Sequence, residues 1–307
     1  MCGIVGYIGP KDTLPILIEG LKRLEYRGYD SAGIALSSNG KILVRKKAGK
    51  VADLVADLKK SNGLPQAHLG MGHTRWATHG EPNDINAHPH VDCKGHVFKS
   101  ETDTEILAHL IEEIYKTKKD LFAAVRLALR EVRGTYGLVV LSKHEPDKLI
   151  AARMGSPLIL GLGEGESFVA ADAAAIISHT RQVVYLNDGE VAEITAHGFE
   201  TKTIYDVSID KAIEEITFDL SQIERGGYEH FMMKEIHEQP ETIRNAMRGR
   251  LLVEEGNVRL GGLDHVRDKL LDARRFIIIG CGTSWHAGLV GEYMLEHIAK
   301  VPTEVEY

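Results

Sequence analysis

The chain has little cysteine: Cys2, Cys93 and Cys281 lie far apart and are odd in number. That argues against a disulfide framework and fits a reducing, cytoplasmic setting. There is no run of Lys or Arg, and the net charge is −7 with both signs mixed along the chain, so no nucleic-acid partner is expected. No stretch approaches the ~20 apolar residues of a membrane span. The apolar start is too short for a signal peptide and has no basic region ahead of it. Internal repeats and low-complexity segments are absent. His73, His79, His88, His90 and Cys93 match no Cys/His zinc spacing, so no metal is expected. The glycine turn at Gly280-Cys281-Gly282 is not a full GxGxxG, so no dinucleotide fingerprint is present either.

What is there begins at the first residues, Met1-Cys2-Gly3-Ile4-Val5-Gly6-Tyr7-Ile8-Gly9. A small second residue favours removal of the initiator methionine, so the mature chain is expected to begin with Cys2. That places a thiol and an α-amine, whose pKa is about 7.7–8.0, on one residue. A nucleophile carrying its own base is the logic of N-terminal-nucleophile hydrolases. By position alone Cys2 also fits an ordinary small residue at a frayed end. Ile4 to Ile8 reads as a buried strand, with Gly3 and Gly6 leaving room for a substrate or another backbone.

The chain is 307 residues long and 43% hydrophobic, enough for one large or two medium domains with a sizeable core. Thr13 to Arg23 has helical spacing, with Pro15 in its tolerant first turn. Leu24 to Gly33 is dense in polar and aromatic groups, which fits a functional loop or a solvated turn. Ser38-Asn39-Gly40 closes a hairpin, and Val51 to Lys60 is a helix stopped by Asn62-Gly63. Gly70 to Gly80 reads as a strand entering a polar loop in which Arg75 is fit to clamp a carboxylate. Thr102 and Glu105 read as a capping box, opening a helix whose buried face is Ile106, Leu107, Leu110, Ile111 and Ile114. Asp103 in its first turn fits either a complement to the helix dipole or a partner for a substrate ammonium. A second helix covers Leu121 to Val132. Seven short strands follow between Tyr136 and Tyr205, which suggests stacked sheets covered by helices. The strands are expected to stop near Asp206. A helix from Glu229 to Arg248, expected to kink at Pro240, follows as an interdomain connection. Phe276 to Ile279 then reads as a buried parallel strand before a helix from Ala287 to Ile298.

Taken together, Met1–Gly9, Leu24–Gly33, Gly72–Gly80, Asn86–His90, Ser100–Glu105 and His230–Ile236 resemble the glutamine–fructose-6-phosphate aminotransferases, in family order. The resemblance implies an α+β chain. A four-layer αββα N-terminal-nucleophile hydrolase domain spans 2–216, a linker with a helix spans 217–262, and a truncated α/β sugar isomerase domain spans 263–307. It implies that glutamine is hydrolysed and its ammonia used to convert fructose 6-phosphate into glucosamine 6-phosphate. That second step needs a complete isomerase domain, whereas here the C-terminal part looks cut off. Cys2 would be the nucleophile forming a glutamyl thioester. Arg75 would hold the α-carboxylate and Asp103 the α-ammonium. Trp76, Thr78 and His79 would line the pocket and Arg27 shape it. Thr283 and Ser284 resemble part of the sugar-phosphate site. No cofactor is implied, and a homodimer is implied for the full-length family.

One departure stands out. Between the NAHPH loop and the SETDTE helix the family carries a strand, a His-Asn-Gly oxyanion turn and a helix. Here Asp92-Cys93-Lys94-Gly95 runs straight into His96, so an internal segment is missing near 95–96. Loss of one oxyanion donor costs ~10²–10³ in rate. Two readings follow: a glutaminase module of the hexosamine-forming enzyme, or an impaired fragment that binds glutamine or a partner chain. A purine-pathway phosphoribosyl amidotransferase is a third, opposed by the Leu24–Gly33 loop and the isomerase start.

Overall fold

A computed structural model of the chain describes residues 2–60, 64–92, 97–217, 227–247, 250–258 and 266–307. Two compact units, Met1–Glu224 and Arg225–Tyr307, divide it.

In the first unit, strand β1 (Gly3–Ile8) lies inside an eight-stranded sheet. Its side chains alternate, so each face packs on a different core. Val5 and Tyr7 join Leu17 and Leu21 of α1 (Thr13–Arg23) and Leu54 of α2 (Val51–Lys60) in an outer layer. Ile4 and Ile8 point the other way, into a layer shared with Leu149, Leu160 and Ile194. The remaining strands of this sheet are β2 (Ser31–Ser38), β3 (Lys41–Ala48), β4 (Leu69–Arg75), β7 (Ile159–Gly163), β8 (Glu166–Ala170), β9 (Gln182–Tyr185) and β12 (Glu214–Glu215). Their order is β12-β9-β7-β8-β1-β4-β2-β3.

The second sheet has the order β11-β10-β6-β5, built from β5 (Tyr136–Ser142), β6 (Glu145–Met154), β10 (Glu190–Thr195) and β11 (Gly198–Thr203). Leu149 and Ala151 of β6 face the first sheet, while Ile150 and Ala152 face α4 (Leu121–Arg130) and α3 (Asp103–Lys118). Three apolar layers between four structural layers give the αββα sandwich. Among the described residues the strand pairings of these two sheets are antiparallel, as alternating strands favour. No helix among the described residues is long and apolar enough to cross a membrane.

Several expectations are corrected here. Strands do not stop at Asp206, because β12 adds to the first sheet beside β9. Gly3 leaves no room for a substrate: a Cβ there would sit 2.5 Å from Thr74 Oγ1 and 2.7 Å from Leu24 Cβ, so the packed core sets the need for glycine. Glu105 does not close a capping box on Thr102. Its buried carboxylate reaches further back, to the N–H groups of Lys99 (3.0 Å) and Ser100 (2.6 Å), while the Thr102 hydroxyl meets His90 Nε2 at 2.8 Å. Ile106, expected to be buried, is 56% exposed. The helix stop at Asn62-Gly63 and the gap expected near 95–96 lie outside the described residues.

The second unit holds α5 (Phe231–Met247), which continues through Pro240, and the short hairpin β13 (Leu251–Leu252) and β14 (Asn257–Val258). After α6 (Arg267–Leu271) comes β15 (Phe276–Ile279), α7 (Thr283–Met294) and β16 (Thr303–Glu306), with β15 and β16 parallel. The expected helix therefore begins four residues early. The expected buried strand is covered on one side only: Ile278 packs beneath α7 near Gly288, while Ile277 and Ile279 are 55% and 77% exposed.

Candidate active site

The start of β1 and the end of β4 lie side by side, because Gly3 pairs with Thr74. Cys2, one residue before the pairing begins, is therefore carried to the loop that follows Arg75. Its Sγ is 3.9 Å from the Trp76 carbonyl. A cavity of about 1230 Å³ opens here. Cys2, Arg27, Arg75, Trp76, Thr78, His79 and Asp103, seven residues from four separate stretches of chain, all stand on its wall. Thr283 and Ser284 belong to the other unit, where they are the first two residues of α7 and are exposed.

Backbone contact sets the loop from Glu25 to Asp30 against this wall. A Cβ on Gly28 would fall 2.6 Å from the Arg75 carbonyl carbon and 2.8 Å from the Trp76 nitrogen, so only glycine permits the approach. Arg27 is 8% exposed and donates from Nε to the Cys2 carbonyl at 3.2 Å. Asp30 takes the Ala77 N–H at 2.7 Å, and its own N–H reaches the Arg75 carbonyl at 3.1 Å. Tyr29 meets Trp76 edge to face at 5.4 Å. The polar loop is therefore a scaffold for both Cys2 and the segment opposite it.

Arg75 is oriented differently from an open carboxylate clamp. Only 3% exposed, it donates from Nη1 to Glu81 O (3.2 Å), from Nη2 to Gly80 O (3.1 Å), and from Nη2 to His79 O. The guanidinium thus folds the 76–81 loop around itself. Thr78 and His79 are left exposed on the cavity side, and Trp76 is 43% exposed. Asn86 and Glu101 tie this loop to the start of α3: Asn86 Nδ2 donates to Glu101 Oε2 at 2.9 Å, and Glu101 N to Asn86 Oδ1 at 2.9 Å. Asp103, next along, is exposed in the first turn of α3. An anion and a cation therefore share the wall with a thiol.

His73, His88 and His90 form a cluster: the His88 ring is tilted against His73 with centroids 4.5 Å apart and meets His90 edge to face at 4.7 Å. The rings keep partly open edges, but Nδ1 of His73 and of His88 is shut off from solvent without a hydrogen-bond partner. Burial, then the positive charges of Arg75 and His90, push His73 down to about 3. Burial, then Lys46, pushes His90 down to about 4, and His88 lies well below its ordinary value for the same leading cause. The three are neutral at pH 7. Among the described residues no group of His, Cys, Asp and Glu is arranged to hold a metal ion.

Spacing alone hid Asp30, the Asn86–Glu101 tie and the histidine cluster, which depend on which loops meet. The only sequence signal for Asp30 was its place in a loop dense with polar groups.

A profile described as a glutamine amidotransferase domain matches residues 1–228. The chain is 50% identical to the glutamine–fructose-6-phosphate aminotransferase [isomerizing] of Chlorobaculum tepidum and 48% identical to that of Bacteroides thetaiotaomicron. Each match covers all of this chain and 54% of the relative, so the chain spans about half the length of these relatives. Among solved structures, the glutamine phosphoribosylpyrophosphate amidotransferase of B. subtilis superposes with a TM-score of 0.57 at 19% identity. That match covers 99% of this chain and 65% of the other, a likeness of fold.

Proposed function

The chain belongs to the glutamine amidotransferase domain family, and on that premise we propose that residues 2–216 hydrolyse glutamine to supply ammonia for making glucosamine 6-phosphate from fructose 6-phosphate. One observation carries the proposal: the Cys2 thiol opens on the same cavity as the Arg75 loop and Asp103. Asp103 offers a partner for the ammonium of a glutamine zwitterion, the 76–81 loop that Arg75 folds borders its carboxylate end, and the side-chain amide is left for the thiol. A charge-assisted contact at the ammonium contributes roughly 1.5–3 kcal/mol.

With Met1 removed, the Cys2 α-amine takes the thiol proton, and Sγ attacks the amide carbon of glutamine. The tetrahedral intermediate collapses to a thioester, and the proton held by the amine leaves with ammonia. Water then cleaves the thioester, giving glutamate and restoring the thiol. The amine serves as base and then as acid because its ordinary pKa lies near neutrality. Residues 217–262 would link this module to the start of an isomerase domain at 263–307, where Thr283 and Ser284 at the α7 N-terminus suit a sugar phosphate. The full-length protein would work as a homodimer in the cytoplasm.

The rate is a separate matter from recognition. The alignment with the C. tepidum relative runs over 334 positions against a chain of 307 residues. We place the difference at the oxyanion turn near 95–96, where Asp92-Cys93-Lys94-Gly95 runs straight into His96. Glutamine binding then outlasts turnover. Calorimetry and ammonia release on one preparation test this, together with intact-mass mapping of a diazoketone analogue of glutamine. Binding with label on Cys2 and very slow ammonia release is expected. Label mainly on Cys281, or no binding by folded protein, would refute the assignment, and turnover at a relative's level would refute the loss of the oxyanion turn.

A further inference from the structure

We propose that Asp172 is a positioning residue that, with Tyr26, holds Arg27 onto the Cys2 carbonyl and so fixes the nucleophile. The inference rests on the glutaminase reading of Cys2 but concerns a residue outside every motif that supports that reading.

The need for such a device follows from where Cys2 sits. It precedes the paired part of β1, which starts at Gly3. On the glutaminase reading Cys2 is the terminal residue, and a chain end without a tie frays. Arg27 Nε supplies a tie at 3.2 Å. An arginine on the short 3₁₀ turn Glu25–Arg27 needs orienting in its own right, because its long side chain has many rotamers to lose.

Asp172 does the orienting with divided labour. Its Oδ1 accepts the Ala174 N–H at 2.9 Å, capping the turn Ala173–Ala175. Its Oδ2 faces the other way and receives Tyr26 OH at 2.8 Å and Arg27 Nη1 at 3.4 Å. The carboxylate thus receives two adjacent residues of the scaffold loop. Burial, followed by the Asp172 contact, raises the Tyr26 phenol above its ordinary value, so it remains a donor.

Asp172 is itself anchored to the strand that carries Cys2. It follows β8, which pairs with β1 from Val5 opposite Ala170, and the next residue, Ala171, donates its N–H to the Ile4 carbonyl at 3.0 Å. The circuit β1–β8–Asp172–Arg27–Cys2 therefore closes on itself. A simple cap for Ala173–Ala175 would use only Oδ1 and would leave Oδ2 indifferent to Arg27.

That division supplies the test. Asp172→Asn keeps an oxygen for the Ala174 N–H, since Asn caps as well as Asp, but removes the charge facing Arg27. Tyr26→Phe removes only the hydroxyl. In Asp172→Asn, labelling of Cys2 by the diazoketone analogue should slow about tenfold, because a reacting group displaced by an ångström loses at least that much. Labelling by iodoacetamide and the melting midpoint should stay at wild-type values. Tyr26→Phe should show a smaller change in the same direction. Removal of the N-terminal residue by an aminopeptidase, which needs no glutamine, should quicken in both variants.

Unchanged diazoketone labelling together with unchanged trimming overturns the proposal. So does a parallel fall in both reagents and in the melting midpoint, which a purely structural role would produce. If wild-type Cys2 ignores the diazoketone, the glutaminase reading fails. The trimming rate then still decides whether Asp172 holds the terminus.

Discussion

Arg75 and Asp30 together show how one residue can shape a binding loop without facing the ligand. Arg75 points into the loop and gathers the carbonyls of residues 79–81. Asp30 holds the other end through the Ala77 N–H at 2.7 Å. A carboxylate accepting a backbone N–H is a charge-assisted contact, stronger than a neutral one. Asp30→Ala should therefore weaken glutamine binding about tenfold in calorimetry, in line with the 1.5–3 kcal/mol range for such bonds. The intrinsic reactivity of Cys2 toward iodoacetamide should not change, because Arg27 holds that residue separately. Unaltered glutamine affinity would show that Arg75 alone suffices to keep the loop in place.

Between elements, the histidine cluster joins β4 to the loop that carries His88 and His90. Its rings face Arg75, Lys46, Glu105 and Asp103, charges of both signs, yet burial dominates and depresses all three. A histidine whose folded-state pKa lies below its unfolded value of 6.5 binds fewer protons when folded across the interval between them. Stability is then full above about 6.5 and falls as the pH drops toward 4 and then 3. The melting midpoint measured against pH should decline through that window, and His73→Asn should flatten the decline whatever it does to the midpoint at pH 7. An equal slope in the variant would show that His73 takes up its proton without cost. Glu105 adds to the same acid loss. Burial opposes its ionisation, but the Ser100 hydroxyl and the N–H groups of Ser100 and Lys99 overcome this and keep it below the usual range.

At the scale of the whole molecule, the two units differ in how far their sheets are covered. The first closes four layers around three cores. The second has a two-stranded parallel sheet with one helix over it, and Ile277 and Ile279 remain open on the uncovered side. Parallel sheets normally have both faces covered. The purified chain should accordingly self-associate through the exposed strand. A strictly monomeric state at high concentration would overturn this expectation.

Local periodicity determined a great deal. The bounds of α1 and α2, the Asn39-Gly40 hairpin and the strands between Tyr136 and Thr203 were legible because each depends on neighbours a few residues away. The ordered motifs around Cys2, Arg75 and Asp103 were likewise readable as one family's pattern, and the structure sets these residues on one cavity. Tertiary structure decided the rest. Which way Arg75 points depends on where residues 79–81 return, and which donors Glu105 finds depends on the turn before α3. Gly3 owes its identity to Leu24 and Thr74, and Gly28 to the end of β4. Ile106 and Ile277 have core-like spacing but lie where no partner covers them. Asp172 gains its partners only because β8 runs beside β1. Spacing along the chain determines which side chains share a face. Only packing between distant segments determines what that face meets.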